Sequence, residues 1–202
     1  MNELELVNRS LRFARLDTIE SLDDEGAVPT YCRENLQFAV DELLGIGDWH
    51  WSFARVATDL VQLPMQFRNW EYVYDMPDDL IKYEKFLYKN VQVSEENFEL
   101  FNNDDLSDRG YSRIATNYEE LECVYTKRIT VINKLPQYFQ RALSYLFAYY
   151  LAETFTGTER SMYLYAMYND REKGLAIASD RAMETKSVKG EYSLLDEIER
   201  RI

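Results

Sequence analysis

One stretch, from Leu135 to Phe155, constrains the fold more than any other part of the chain. Its apolar residues recur at helical spacing, which predicts a core helix with a buried stripe. That stripe consists of Phe139, Leu143, Leu146, Phe147 and Tyr150. The opposite side of the same helix is also largely apolar, with Tyr138, Ala142, Tyr145, Tyr149 and Ala152. A helix that is apolar on both sides needs cover on both, either from other parts of this chain or from a second copy.

Three further helices are predicted. One runs from Glu159 to about Ala182, and the short link before it makes it an antiparallel neighbour of the core helix. Its predicted buried stripe is Met162, Tyr165, Tyr168, Leu175 and Ala178. Gly157 is predicted to end the core helix in the left-handed conformation. At the N-terminus, one helix is predicted from Glu3 to about Arg15 and another from an N-cap at Thr30 to Gly45.

Between the second and third helices the pattern changes to alternation of apolar and polar residues, as in the run from Trp70 to Asp75. Short alternating runs separated by turn residues predict an antiparallel sheet of about four to six strands. The predicted fold is α+β: a helical bundle of about four helices with an antiparallel β-sheet lobe inserted between helices 2 and 3. The predicted limits are 1–46 and 134–184 for the bundle and 48–130 for the lobe, together one domain over 1–184, with a C-terminal tail over 185–202.

Charge and composition narrow the class of protein. The formal net charge is −13, which argues against binding duplex DNA through a basic surface. Hydrophobic residues make up 46%, enough for a folded core. The acidic N-terminus predicts no signal segment, and no apolar run predicts a membrane span. Cys32 and Cys123 match no metal or redox spacing and are interpreted as reduced core residues of a protein made in the cytoplasm.

The sequence contains few candidates for catalytic residues. His50 is the only histidine and lies between Trp49 and Trp51, where packing is the favoured interpretation. Phosphate-binding and nucleophile motifs do not occur. Three acidic pairs are candidates for general acid–base work or a divalent cation: Asp78–Asp79, Asp104–Asp105 and Glu119–Glu120. Solvated surface is the favoured interpretation for each pair. For the three tryptophans, a core role is favoured over stacking on a sugar or base. No catalytic, metal or cofactor site is therefore predicted.

Several weak motifs occur in an order that resembles a known family. The segment Gly47–Arg55 follows a helix and precedes strands; Trp70–Leu80 is an aromatic strand that runs into a Met-Pro-Asp-Asp turn. Lys134–Phe139 then opens a long helix that closes at Phe155–Gly157. Over residues 5 to 182 this order resembles the tail tubular protein A family, the head-to-tail adaptors of short-tailed bacteriophages.

The resemblance implies a structural virion protein and no enzymatic activity. It implies a homo-oligomeric, twelve-fold ring between the portal protein and the tail nozzle protein, contacting tail fibres in some phages. DNA would pass through the channel without specific binding, repelled by acidic loops such as Asp23–Glu25 or Asp104–Asp105. No membrane and no cofactor are implied. Because ring subunits contact two neighbours, the predicted interface residues are those of the second apolar side, Tyr138, Tyr145 and Tyr149.

The tail carries one more apolar pattern. Tyr192, Leu195, Ile198 and Ile202 recur at steps of three, three and four, and Ser193 with Asp196 resembles a capping box. The sequence predicts a short helix that docks on the portal or on a neighbouring copy through Tyr192, Leu194, Leu195, Ile198 and Ile202. The alternative is that the tail packs on its own bundle.

Three other functions stay open. The first is a head-completion ring protein of another tailed phage type, with the same helical core but other partners. The second is a carboxylate-based carbohydrate-active enzyme that uses an acidic pair and a tryptophan platform. The third is an acidic interaction module with no role in a phage.

Overall fold

The structure, a computed structural model, describes residues 1–47, 49–102 and 112–184. The chain divides into two units: a helical unit, Met1–Phe53 with the chain from Ile129 onward, and a β unit, Ala54–Arg128. Over the described residues, four helices and two antiparallel sheets confirm the predicted α+β class, and in sequence all the strands come between the second and third helices. The helices are α1, Glu3–Ala14; α2, Ala27–Leu44; α3, Gln137–Phe155; and α4, Thr158–Met167.

The N-terminal helices begin at different kinds of cap. In α1 the Asn2 side chain accepts from the Glu5 N–H, and the Glu5 carboxylate accepts from the Asn2 N–H, each at 2.8 Å. The predicted N-cap of α2 was wrong, because the helix begins a turn before Thr30, after Gly26. Pro29 lies in this first turn, where a missing N–H costs no helical hydrogen bond. The predicted end of α2 at Gly45 is confirmed.

The helix α3 is covered on both sides within its own chain. The elements α1, α2 and α4 all contact it. Ala142 and Ala152 are fully buried, and the Tyr145 ring stacks on Phe13 of α1 with 4.5 Å between centroids. The apolar character of both sides of α3 is therefore accounted for largely by intramolecular packing.

Gly157 does not end α3 in the left-handed conformation. Its φ is 102° and its ψ is 174°, and it stands at the N-cap of α4, while Thr156 caps α3. The N–H of Gly157 still donates to the carbonyl of Ala152 at 2.8 Å. A φ of this sign is accessible to glycine without the steric cost that a Cβ would add. The link therefore favours glycine at position 157, but as the N-cap of α4 and not as the left-handed residue that ends α3.

The chain after α4 stays helical but changes its winding. A π-helical turn, Tyr168–Glu172, follows directly, and a terminal helical segment covers residues 173–184. The predicted stripe was wrong except at Tyr168: Met162, Tyr165, Leu175 and Ala178 are exposed. The buried residues are instead Ser161, Leu164, Tyr168, Glu172, Ala176 and Asp180.

The wide π turn is the physical reason for the difference at Leu175 and Ala178, which follow it, whereas Met162 and Tyr165 precede it in α4. From Leu164 to Asp180 the buried residues recur every four positions. A spacing of four drifts around an α-helix of about 3.6 residues per turn, and one wider turn offsets the drift. The prediction assumed uniform α-helical winding, so after the π turn it assigned the buried residues to the wrong face of the helix.

The β unit contains two four-stranded antiparallel sheets and not the single sheet expected. The first has the order β1-β8-β4-β5 and the second the order β2-β3-β7-β6. The strands are β1, Arg55–Asp59; β2, Val61–Leu63; β3, Tyr72–Asp75; β4, Leu80–Tyr88; β5, Val91–Gln92; β6, Phe98–Phe101; β7, Arg113–Thr116; and β8, Glu122–Lys127. The chain changes sheets at Leu60, between β1 and β2.

One core serves both sheets. Tyr74 of β3 and Ile114 of β7 come from the second sheet and lie opposite each other in register. Phe86 of β4 and Cys123 and Tyr125 of β8 come from the first sheet and join the same buried cluster. Alternation along a strand identifies the buried side of each residue but not the sheet that the strand joins. The sequence therefore predicted the strands without their division into two sheets.

Candidate functional site

Four aromatic side chains form a continuous row across three helices of the helical unit. Phe38 of α2 lies 6.1 Å from Tyr150 of α3, measured between ring centroids. Tyr150 lies 5.2 Å from Tyr149, and Tyr149 lies 5.2 Å from Tyr165 of α4. These separations are within the range of attractive aromatic pairs. We call this set, Phe38, Tyr149, Tyr150 and Tyr165, the aromatic row.

The ends of the aromatic row face solvent. Phe38 is 61% exposed and Tyr165 is 49% exposed. Met162, on the same helix as Tyr165, is 66% exposed. Single exposed apolar residues are ordinary, but aromatic and methionine side chains grouped on one surface are characteristic of protein interfaces. The row is therefore a candidate interaction surface.

Two tyrosines of the row, Tyr149 and Tyr150, lie beside acidic side chains. The Tyr150 hydroxyl donates to the Glu42 carboxylate. Burial, followed by this hydrogen bond and the charge of Glu42, raises the pKa of Tyr150 well above its usual value. Burial and Glu153 raise the pKa of Tyr149. Both hydroxyls stay protonated at neutral pH, so the row presents uncharged rings beside an acidic rim.

The three predicted interface tyrosines lie in three different settings. Tyr149 belongs to the aromatic row. Tyr145 is half-buried in its stack with Phe13. Tyr138 donates its hydroxyl to Asp180 at 2.7 Å. Only Tyr149 is thus part of a larger exposed aromatic surface.

Asp180 is a fully buried carboxylate that the sequence did not indicate. One oxygen accepts from the Ser52 N–H at 2.9 Å. The other accepts from the Ser52 Oγ and from the Tyr138 hydroxyl, each at 2.7 Å. Its partners lie 128 and 42 residues away in sequence, and a single acidic residue in a helix carries no local signal of such contacts. Asp180 thus connects the terminal helical segment to Ser52, near the end of the Met1–Phe53 part of the helical unit.

Glu172 is a second buried carboxylate, 1% exposed, in the π turn. The Arg141 guanidinium donates to both of its oxygens, from Nε at 2.7 Å and from Nη2 at 2.9 Å. Such two-point contacts are the strong form of ion pair. The sequence carries no signal for the burial of Glu172, because the surrounding run of polar residues resembles an exposed surface.

The acidic pairs have mostly structural surroundings. Asp79 accepts from the Tyr125 hydroxyl at 2.8 Å and lies 3.7 Å from the Lys127 ammonium. Asp78 lines a cavity of about 560 Å³ in the β unit, near Asp75, which pairs with Arg113 at 3.3 Å. Glu119 and Glu120 are exposed, and Asp104–Asp105 lies outside the described residues. Over the described ranges, no group of three or more His, Cys, Asp or Glu side chains is placed to hold a metal ion.

The surroundings of the tryptophans indicate packing roles and not stacking on a ligand. Trp51 is fully buried, donates its indole N–H to the Leu43 carbonyl at 2.7 Å and packs edge-on against Phe139 at 4.9 Å. The Arg181 guanidinium lies over the Trp49 ring at 5.1 Å, and Trp70 donates to Glu99 at 3.2 Å. His50, between Trp49 and Trp51, is half-buried.

The raised tyrosine pKa values predict loss of stability at high pH. Burial is the main cause that raises the pKa of Tyr74 to about 12, and burial with a carboxylate acceptor raises the pKa values of Tyr125 and Tyr138. In the unfolded chain tyrosine ionises near pH ~10, so above that pH the unfolded state binds fewer protons and stability falls as pH rises. We expect the tyrosinate absorbance of these groups to appear together with unfolding, above pH ~10. A native protein whose tyrosines all titrate near pH ~10 while it stays folded would contradict this.

The predicted docking residues Tyr192, Leu194, Leu195, Ile198 and Ile202 lie outside the described residues. Among the helices that the structure describes, none has the length and apolar character needed to cross a membrane. No protein-family model matches the chain, and comparison with curated proteins gives no match either.

Proposed function

We propose that this chain is a structural virion protein, a head-to-tail adaptor that forms a ring between the portal and the tail nozzle of a short-tailed phage. The observation that carries the proposal is the aromatic row. A ring subunit needs a surface rich in large rigid side chains, and the row supplies one across three helices. The order of sequence motifs resembling tail tubular protein A gives the proposal its specific form.

A closed ring uses two different surfaces on each subunit, because a head-to-tail contact joins one patch to another. The aromatic row is proposed as one of these patches. Phe38 and Tyr165 are its main anchors, since interface energy concentrates in a few aromatic side chains that become buried. The formal net charge of −13 suits a ring through which DNA passes by repulsion and not by binding.

The first test is assembly. The double variant Phe38→Ser with Tyr165→Ser is expected to weaken ring formation at least about tenfold, because two exposed anchors are lost. Negative-stain microscopy and mass photometry, with the portal protein present as a template, measure the ring. Phe38 and Tyr165 are 61% and 49% exposed, so the fold should be retained, as far-UV circular dichroism can verify.

The matched control is Val61→Ser with Val91→Ser. These two valines are 70% and 67% exposed and lie in the β unit. They should leave assembly unchanged. Equal loss in both double variants would show that surface hydrophobicity in general, and not the aromatic row, drives association. A protein that stays monomeric with the portal present would overturn the adaptor proposal itself. A gene position apart from portal, capsid and nozzle genes would also oppose it.

A further inference from the structure

The first helix carries a cationic surface around one aromatic side chain. The Arg9 guanidinium lies over the Phe13 ring at 5.4 Å. Arg160 of α4 donates from Nε to the Phe13 carbonyl at 2.8 Å. Arg12 joins Arg9 and Phe13 in lining a shallow cavity of about 460 Å³. We call this set, Arg9, Arg12, Phe13 and Arg160, the arginine surface.

Two guanidinium groups of the arginine surface are available to a partner. Arg12 donates from Nε to the Asn8 carbonyl at 3.1 Å, and Arg9 contacts the Phe13 ring. Within the part of the chain that the structure describes, neither forms an ion pair. The carboxylate that lines the same cavity, Glu5, accepts from the Asn2 N–H. Such a surface on a chain of formal net charge −13 suits an acidic partner.

Three exposed carboxylates lie along the aromatic row. Glu34 and Glu42 lie four residues before and after Phe38, on the same side of α2. Glu153 lies four residues after Tyr149 on α3 and is one of its acidic neighbours. Arginine pairs with carboxylates and also stacks on tyrosine rings. The arginine surface is therefore complementary to the aromatic row in charge and in the kind of contact that each can make.

The two surfaces face different directions on the same helices. Tyr145 of α3 stacks on Phe13, and Tyr150 of the row follows five residues later. Arg160 of α4 contacts Phe13, and Tyr165 of the row also follows five residues later. A step of five residues turns about 140° around a helix axis. One chain therefore cannot join its own two surfaces, whereas two copies can.

We infer that the arginine surface of one copy docks on the aromatic row of the next, with Arg9 and Arg12 among the carboxylates of the row. This inference rests on the ring of the proposed function and gives it its second contact surface. Each subunit presents the row to one neighbour and the arginine surface to the other, so the contact repeats head to tail around the ring.

Charge reversal in two separate full-length variants tests the contact. One variant carries Arg9→Glu with Arg12→Glu, and the other carries Glu34→Arg with Glu153→Arg. In each variant alone the two surfaces have like charge, so association between copies should fall at least about tenfold. In an equal mixture of the two variants, an alternating arrangement joins native surfaces to native ones and reversed surfaces to reversed ones. The mixture should therefore regain the association of the wild type.

Two further variants act as controls. Lys89→Glu with Lys134→Glu makes the same change in net charge as the arginine reversal, at exposed sites outside both surfaces, and should leave association unchanged. Arg9→Gln with Arg12→Gln removes the charges without reversing them and should cause a smaller loss. Circular dichroism and thermal unfolding verify that each variant is folded. Equal loss in the lysine variant would show that net charge controls association and would overturn the inference.

Two readouts separate the inference from the proposed function. Sedimentation velocity measures association of the protein alone, and negative-stain microscopy counts rings with the portal protein present. Wild-type rings that form equally well from either reversed variant overturn the inference and leave the adaptor proposal standing. A mixture that associates without forming rings on the portal supports the contact and overturns the adaptor proposal.

The mixture itself gives the decisive result. If both folded variants lose association and their mixture does not regain it, the two surfaces do not meet and the inference is overturned. If the arginine reversal abolishes binding to the portal and leaves association between copies intact, the arginine surface contacts the portal and the inference is again overturned. A wild-type protein that neither associates nor forms rings overturns both proposals.

Discussion

Replacing Arg141 with Ala is expected to lower the free energy of unfolding by about 2 kcal/mol, below the range for a fully buried ion pair because the Arg141 side chain is 47% exposed. The change leaves the carboxylate of Glu172 buried, at 1% exposure, without its two-point partner. Arg171 lies 3.8 Å from the same carboxylate but is largely exposed, so it compensates only in part. Urea denaturation measures the loss as a lower midpoint with an unchanged slope.

The control is the double variant Arg141→Ala with Glu172→Gln. It removes the buried charge together with its partner, so most of the lost stability should return. The difference between the single and double variants measures the cost of the unpaired carboxylate. If Arg141→Ala is neutral, Glu172 is solvated and the ion pair adds nothing to the fold. If the double variant is as unstable as the single one, the alkyl chain of Arg141 is the stabilising part.

Replacing Asp180 with Ala is expected to cost about 4 kcal/mol, since hydrogen bonds to a charged group contribute about 1.5–3 kcal/mol each and their loss is not additive. The Ser52 N–H, the Ser52 hydroxyl and the Tyr138 hydroxyl all lose their acceptor. Hydrogen exchange at the Ser52 amide gives a local measurement beside the global one. We expect that amide to exchange much faster in the variant.

Two milder variants act as controls for Asp180. Asp180→Asn keeps one acceptor oxygen and should fall between the wild type and the alanine variant. Tyr138→Phe removes one donor and leaves the carboxylate with Ser52, so a loss of about 1 kcal/mol is expected. Equal stability of the Asn variant and the wild type would show that the charge of Asp180 is immaterial and that its shape alone matters.

The class of fold was predictable because it depends on periodicity. The spacing in α3 and the alternation from Trp70 to Asp75 are local patterns, and each identifies an element without knowledge of its neighbours. The division into two sheets was not predictable, because it depends on which strands pair across the chain. Thr58 faces Cys123 and Tyr74 faces Ile114, and no local signal specifies either pair.

The polar interior of the helical unit was harder still to predict. Asp180 and Glu172 are acidic residues in helical sequence, where exposure is the usual state. Their burial follows from partners elsewhere in the chain, Ser52 and Arg141. The aromatic row was visible only in part: Tyr149 was predicted as an interface residue, whereas Phe38 came from a helix with no predicted contact role.

The π turn determines where this end of the chain can change its length. The turn holds one residue more than an α-helical turn would, so removing one residue between Tyr168 and Glu172 allows regular α-helical winding there. Asp180 then stays on the same side of the helix and keeps its contact with Ser52. A deletion after Glu172 has no wide turn to absorb it and rotates the residues that follow by about 100° around the helix axis. Loss of one residue is thus expected to be tolerated within the π turn and not in the helix that follows it.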